Sequence, residues 1–183
     1  VNYRANLWSL KEQGVRKIVS VASVGGIRAD LGPGKLVVPT QIIDYTWGRA
    51  GTFFEGEAPV RHIDFTEPYS AALRKKILAA AKSCGEAIVD GAVYAATQGP
   101  RLETAAEVDR LERDGADIVG MTGMPEAVLA RELEVEYAAI AVVVNHAAGR
   151  GESARGIRLQ EIGEVLQEAM ARVRNIIEQL VEI

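Results

Sequence analysis

The sequence predicts an α/β fold: a central mixed sheet flanked by helices. Three observations predict it. Residues 137–144 form a run of alanine, isoleucine and valine after one tyrosine, with no charge, as in a strand buried on both faces. Helical periodicity recurs between strand-like runs, most clearly over 159–180, where Ile162, Val165, Leu166, Ala169, Val173 and Ile176 share a face. Gly-Pro punctuation, as at Gly32-Pro33-Gly34 and Gly99-Pro100, divides the segments sharply.

The first helix spans 2–11, with Tyr3, Leu7 and Leu10 on one face, and Gly14 ends it. Residues 17–22 read as a buried strand followed by the pair Gly25-Gly26, where backbone can approach a ligand closely. Residues 35–45 are rich in β-branched side chains and read as a single strand. A loop with Phe53 and Phe54 covers 47–59. A helix is expected from Thr66-Glu67-Pro68, carrying Leu73, Ile77 and Ala80 inward and stopping at Gly85. Residues 87–97 suit a strand pair or one bent strand. Residues 150–156 are polar and glycine-bearing, a mobile connection to the last helix.

At 183 residues and 48% apolar content, the chain 1–183 is long enough for one domain with its own core. A net charge of −4 argues against a nucleic-acid surface, which needs a basic face. Cys84 is the sole cysteine, so neither an internal disulfide framework nor a cysteine-rich metal site is expected. Nor does either histidine stand at a ligand spacing from a partner, so no metal is expected. No apolar run is long enough to span a bilayer, and no signal peptide is visible, so a cytoplasmic location is expected.

The densest run of unusual choices is 98–126, QGPRLETAAEVDRLERDGADIVGMTGMPE. Thr104 and Glu107 form a capping box, in which each side chain takes an amide that the helix start leaves unpaired. Ile118-Val119 reads as a short strand, Gly120 and Gly123 bracket Met121-Thr122, and Pro125 suits the start of another helix. Two loop-to-helix junctions therefore lie close together, one carrying Glu103 and the other Met121 and Thr122. Amides at such junctions attract anions. On spacing alone these are two well-capped connections. Taken singly, Met121 is core filler, Glu103 a helix-start carboxylate, Asn145 a strand-end turn former and His62 a surface histidine.

In GPRLET followed by VGMTGMPE, the sequence resembles the purine nucleoside phosphorylase and methylthioadenosine phosphorylase family, and the resemblance extends over essentially the whole chain. It implies a nucleoside phosphorylase-like domain that cleaves a glycosidic bond with phosphate as co-substrate and uses no organic cofactor. The family's Gly-rich phosphate loop and Arg-His pair come from an earlier segment, so the fold's N-terminal strands are expected to be missing and the domain to be N-terminally incomplete. The resemblance places phosphate-contacting amides at Ala22 and Ser23, Gly25 beside sugar and base, Met121 at the sugar, Thr122 at phosphate and Leu102 at the substrate. It implies that His62 reaches over a neighbouring subunit's substrate, hence a homotrimer.

Glu103 and Asn145 are the expected catalytic pair. A carboxylate accepts from N1–H of a 6-oxopurine and an amide donates to O6 or N7. Adenine presents a lone pair at N1, and its selective relatives carry serine and aspartate at these two positions. The family's 5′-hydroxyl-binding histidine has no counterpart between Gly149 and Met170. Ile157, Leu159 and Ile162 stand there instead, a lining suited to a methylthio group. Phosphorolysis of 5′-methylthioinosine is the expected reaction. A general 6-oxopurine nucleoside phosphorylase, a methylthioadenosine phosphorylase and a catalytically incomplete nucleoside-binding fragment are the alternatives.

Overall fold

A computed structural model describes residues 1–56 and 59–182. The chain runs α1 (Tyr3–Glu12), β1 (Lys17–Gly26), β2 (Leu36–Val38), β3 (Gln41–Asp44), α2 (Ala71–Ser83), β4 (Val89–Asp90), β5 (Val93–Ala96), α3 (Ala105–Arg113), β6 (Ile118–Gly120), α4 (Glu126–Glu132), β7 (Glu136–His146) and α5 (Leu159–Glu182). One seven-stranded sheet has the order β3-β5-β6-β1-β7-β2-β4. It is mixed: β6 and β1, and β7 and β2, are antiparallel, while β1 and β7 run parallel along their full length.

Helices α2 and α5 cover one face of the sheet. There Ile77, Val173 and Ile176 are completely buried against Ile140 and Val142 of β7. Full burial of each such side chain contributes about 1.5–3 kcal/mol. On the other face α1 and α4 pack through Leu7, Ala127 and Leu129 onto Tyr137 and Ala139. Alternation along β7 thus sends Ala138, Ile140 and Val142 to one layer and Tyr137 and Ala139 to the other, which is why the strand carries no charge between Glu136 and Asn145.

The expected strand over 35–45 is two. Pro39 lacks an amide proton, and the chain leaves β2's ladder with β7 there to enter β3's ladder with β5. The strand expected over 17–22 continues to Gly26, because its last residues pair antiparallel with β6. The helix expected from Thr66 begins only at Ala71. Tyr69 is buried and stacks on Tyr137 at 6.1 Å between ring centroids, which holds the chain extended until Ser70 caps the helix by accepting from the Leu73 N–H at 3.1 Å. The pair of strands within 87–97, the end of α2 and the start of α5 at Leu159 lie as expected. The connection over 150–156 is more ordered than a free loop: a 3-10 turn spans Gly151–Ser153, and Arg150 pairs with Asp109 and Glu112 of α3 at 2.9 and 2.8 Å.

Candidate active site

A cavity of about 300 Å³ opens where the C-terminal part of β1 meets β6 and β7. Ala22, Ser23 and Gly25 line it from β1, Met121 and Thr122 from the turn after β6, and Asn145 from the end of β7. Leu102 and Glu103 close one side just before α3, and Ile157 and Ile162 close another at the entry to α5. The acid and the amide, distant in sequence, therefore share one cavity with the isoleucines. Two expected residues lie elsewhere. Leu159 is 66% exposed: it is the first residue of α5, and side chains tilted toward a helix N-terminus overhang the element there. His62 is exposed, in the extended segment before α2.

The glycine pair divides its work. The register between β1 and β7 slips at Val24/Gly25, and Gly25 faces the cavity where a Cβ would stand 3.3 Å from the Ala147 Cα. Gly26 instead makes room for the chain itself, since a Cβ there would run into the carbonyl of Leu31.

Three local networks set the polar groups. The Thr97 hydroxyl donates to Glu103 Oε1 at 2.6 Å, and Thr97's own amide is tied to the Gly120 carbonyl at 2.7 Å. The capping box forms as expected: Thr104 Oγ1 accepts from the Glu107 N–H at 3.1 Å and Glu107 accepts from the Thr104 N–H at 2.8 Å. Arg101 joins it, and its guanidinium with the Thr104 amide lowers the Glu107 carboxyl from 4.5 to about 2. Glu103 thus sits immediately before a pinned helix N-terminus, where the helix dipole favours an anion.

Tyr94 supports Thr122. Its oxygen accepts from the Thr122 N–H at 3.2 Å and lies 3.0 Å from Thr122 Oγ1. Burial raises the phenol above its ordinary value. Either hydroxyl can donate in this pair; when the phenol donates to Thr122 Oγ1, the threonine's own proton is left for an anion in the cavity. Gly120 permits this: a Cβ there would fall 2.5 Å from the Tyr94 hydroxyl oxygen. At the third corner, Asn145 donates one Nδ2 proton to the His146 carbonyl at 2.6 Å, which fixes the amide plane and leaves Oδ1 and the second proton for a ligand. His146 itself turns away toward a small recess beside Pro33 and Glu152.

Tyr94 and Thr97 are the positioning side chains that sequence reasoning missed. No sequence signal marked either: Tyr94 stands in the apolar run Val93-Tyr94-Ala95-Ala96, and Thr97 simply follows it. A second cavity of about 360 Å³ shares Glu103 with the first, but its other walls include Tyr45, Trp47 and Arg110, and it lacks Thr122 and Asn145. Among the described residues no cluster of His, Cys, Asp and Glu is arranged to hold a metal ion, and no helix is long and apolar enough to cross a membrane.

A mixed sheet whose strand ends gather an acid, an amide, a hydroxyl and glycine-flanked amides around one cavity defines an α/β protein with a pocket suited to a small polar ligand. The comparisons narrow the class. The sequence profile of the Phosphorylase superfamily matches residues 1–182, and the chain belongs to that family. A probable S-methyl-5'-thioinosine phosphorylase of Pseudomonas syringae pv. tomato is 55% identical over 175 residues, covering 95% of this chain and 70% of that protein. A 6-oxopurine nucleoside phosphorylase of Pyrococcus furiosus is 44% identical over 92% of this chain and 65% of its own length. Among solved structures, methylthioadenosine phosphorylase from Schistosoma mansoni in complex with adenine superposes with a TM-score of 0.93 at 31% identity, over 100% of this chain and 70% of that one.

Proposed function

We propose that this protein is a pentosyltransferase that phosphorolyses S-methyl-5'-thioinosine to hypoxanthine and S-methyl-5-thioribose 1-phosphate, in purine salvage. The observation that carries the reading is the shared cavity of Glu103, Asn145, Ile157 and Ile162. Glu103 accepts from N1–H of the oxopurine with the oxygen that Thr97 does not hold. Asn145 meets the O6/N7 edge and stabilises the charge that builds on the base as the glycosidic bond stretches. Thr122, with the amides of Ala22 and Ser23, holds phosphate on the opposite side of the sugar, which Met121 and Gly25 flank. Leu102 covers the base. Ile157 and Ile162 line the 5′ end with apolar surface, worth about 0.8 kcal/mol per buried methylene equivalent. The relatives' names support this reading, the structural neighbour's included, since it too bears a methylthio-nucleoside name. The reaction asks for no metal or resident cofactor. A cytoplasmic homotrimer in which His62 reaches a neighbour's site completes the proposal.

The Pyrococcus relative favours one alternative, a 6-oxopurine nucleoside phosphorylase of broader 5′ tolerance. Hypoxanthine or adenine release from methylthioinosine, inosine and methylthioadenosine, with and without phosphate, separates the readings. Phosphate-dependent release fastest from methylthioinosine supports the proposal. Equal efficiency on inosine moves it to the broader enzyme, fastest release from methylthioadenosine overturns the base assignment, and purine binding without release leaves a nucleoside-binding module. In the double variant Glu103→Ser with Asn145→Asp, preference should move toward the 6-aminopurine nucleoside by at least about 10²-fold.

A further inference from the structure

We infer that Arg49 is the positioning residue that fixes the distance between the base subsite and the phosphate subsite. It does so by clamping the two junctions that carry them. Its guanidinium donates from Nη1 to the carbonyls of Met121 and Met124 at 3.1 and 2.6 Å. From Nη2 it donates to the carbonyls of Thr97 and Gln98 at 3.4 and 3.1 Å. One nitrogen thus serves the turn that presents Met121 and Thr122, and the other serves the turn that leads to Glu103. The Thr97 hydroxyl adds a shorter tie, to Glu103 Oε1 and to the Gly120 carbonyl at the root of the other turn at 2.6 and 3.2 Å, whereas Arg49 reaches the carbonyls beyond Gly120.

The clamp is itself held. Tyr3 of α1 lies under the guanidinium, 5.6 Å from ring centroid to Cζ. Upstream of it, the Trp47 N–H donates to Gln98 Oε1 at 3.1 Å. Downstream, the Thr52 hydroxyl and Phe53 amide donate to the buried Glu132 at 2.7 and 2.8 Å. Loop 47–56 is therefore a strap anchored at both ends, with Arg49 directed between the turns. A planar fork with two nitrogens can hold two loops at once; a lysine ammonium on a flexible stem is one point and cannot fix their separation. The carbonyls it satisfies would otherwise be left unpaired in partly buried turns.

This inference rests on the proposed phosphorolysis for its kinetic consequence but not for its geometry, and the test reads both. Arg49→Lys and Arg49→Met are compared with the wild type for kcat, the KM of nucleoside and of phosphate, thermal midpoint, and hydrogen exchange of the backbone amides in both turns. In both variants kcat/KM should fall about 10²-fold, the scale of an ångström-sized misplacement. KM should rise for nucleoside and phosphate together, and the amides of both turns should exchange faster together. Three results overturn the inference: unchanged kinetics with only a lowered thermal midpoint, a KM change confined to one substrate, or faster exchange confined to loop 47–56. If the wild type turns over no nucleoside, the functional proposal fails while the exchange experiment still decides the clamp.

Discussion

Glu103 and Thr122 are each held by one neighbour, and the neighbours make separable predictions. Thr97 gives its proton to Glu103 at 2.6 Å. In Thr97→Val, which keeps the shape and removes the donor, the carboxylate loses a charge-assisted bond worth about 1.5–3 kcal/mol. We expect kcat/KM on oxopurine nucleosides to drop about tenfold or more, the change that 1.4 kcal/mol produces, with the KM for phosphate unchanged. Tyr94→Phe should do the reverse. It frees Thr122 Oγ1 to turn back on its own backbone, raising the KM for phosphate several-fold, about the loss of one neutral hydrogen bond, while base preference stays fixed. Steady-state kinetics with each substrate varied in turn distinguishes the two, and an identical profile for both variants would contradict the assigned subsites.

Among the elements, α3 shows what was legible in the sequence. Thr104 and Glu107 stand three apart before an apolar stripe, and the cap they announce forms. Local rules of this kind read well because both partners lie within one helical turn. The single strand expected over 35–45 failed for the opposite reason: which neighbours Leu36 and Gln41 pair with is decided by β7 and β5, far along the chain. Arg49 was illegible because its acceptors are backbone carbonyls 48 to 75 residues away, which every residue possesses. The cap also yields a pH prediction. Glu107 has a folded value depressed to about 2 from 4.5, so its contribution is present above the unfolded value and fades as pH falls from 4.5 toward 2. The pair is surface-exposed, so the effect is small and salt-sensitive. Thr104→Ala should cost about 1 kcal/mol at neutral pH. Glu107→Gln should flatten the acid limb of a plot of thermal midpoint against pH; an acid limb identical to the wild type's would remove Glu107 from that role.

For the whole molecule, α5 joins stability to specificity along one rod. Its C-terminal part buries Val173 and Ile176 against β7 and α2, while its first turns carry Ile162 to the cavity. Substitutions at the two ends should therefore separate cleanly. Ile176→Ala removes a completely buried side chain from the core and should destabilise the fold by about 2–5 kcal/mol. The ratio of kcat/KM for methylthioinosine over inosine should stay constant in the protein that remains folded, because the cavity wall is unchanged. Ile162→His should lower the thermal midpoint less than Ile176→Ala does, since Ile162 is only partly buried at the edge of the same core. It should instead lower that ratio by about 10-fold or more, because it replaces apolar wall with a donor that a 5′-hydroxyl can use and a methylthio group cannot. Thermal denaturation read beside the substrate ratio tests both at once. A ratio that stayed put with Ile162→His would mean that the helix does not line the 5′ end of the substrate, and one that moved with Ile176→Ala would mean that core packing along α5 also shapes the cavity wall.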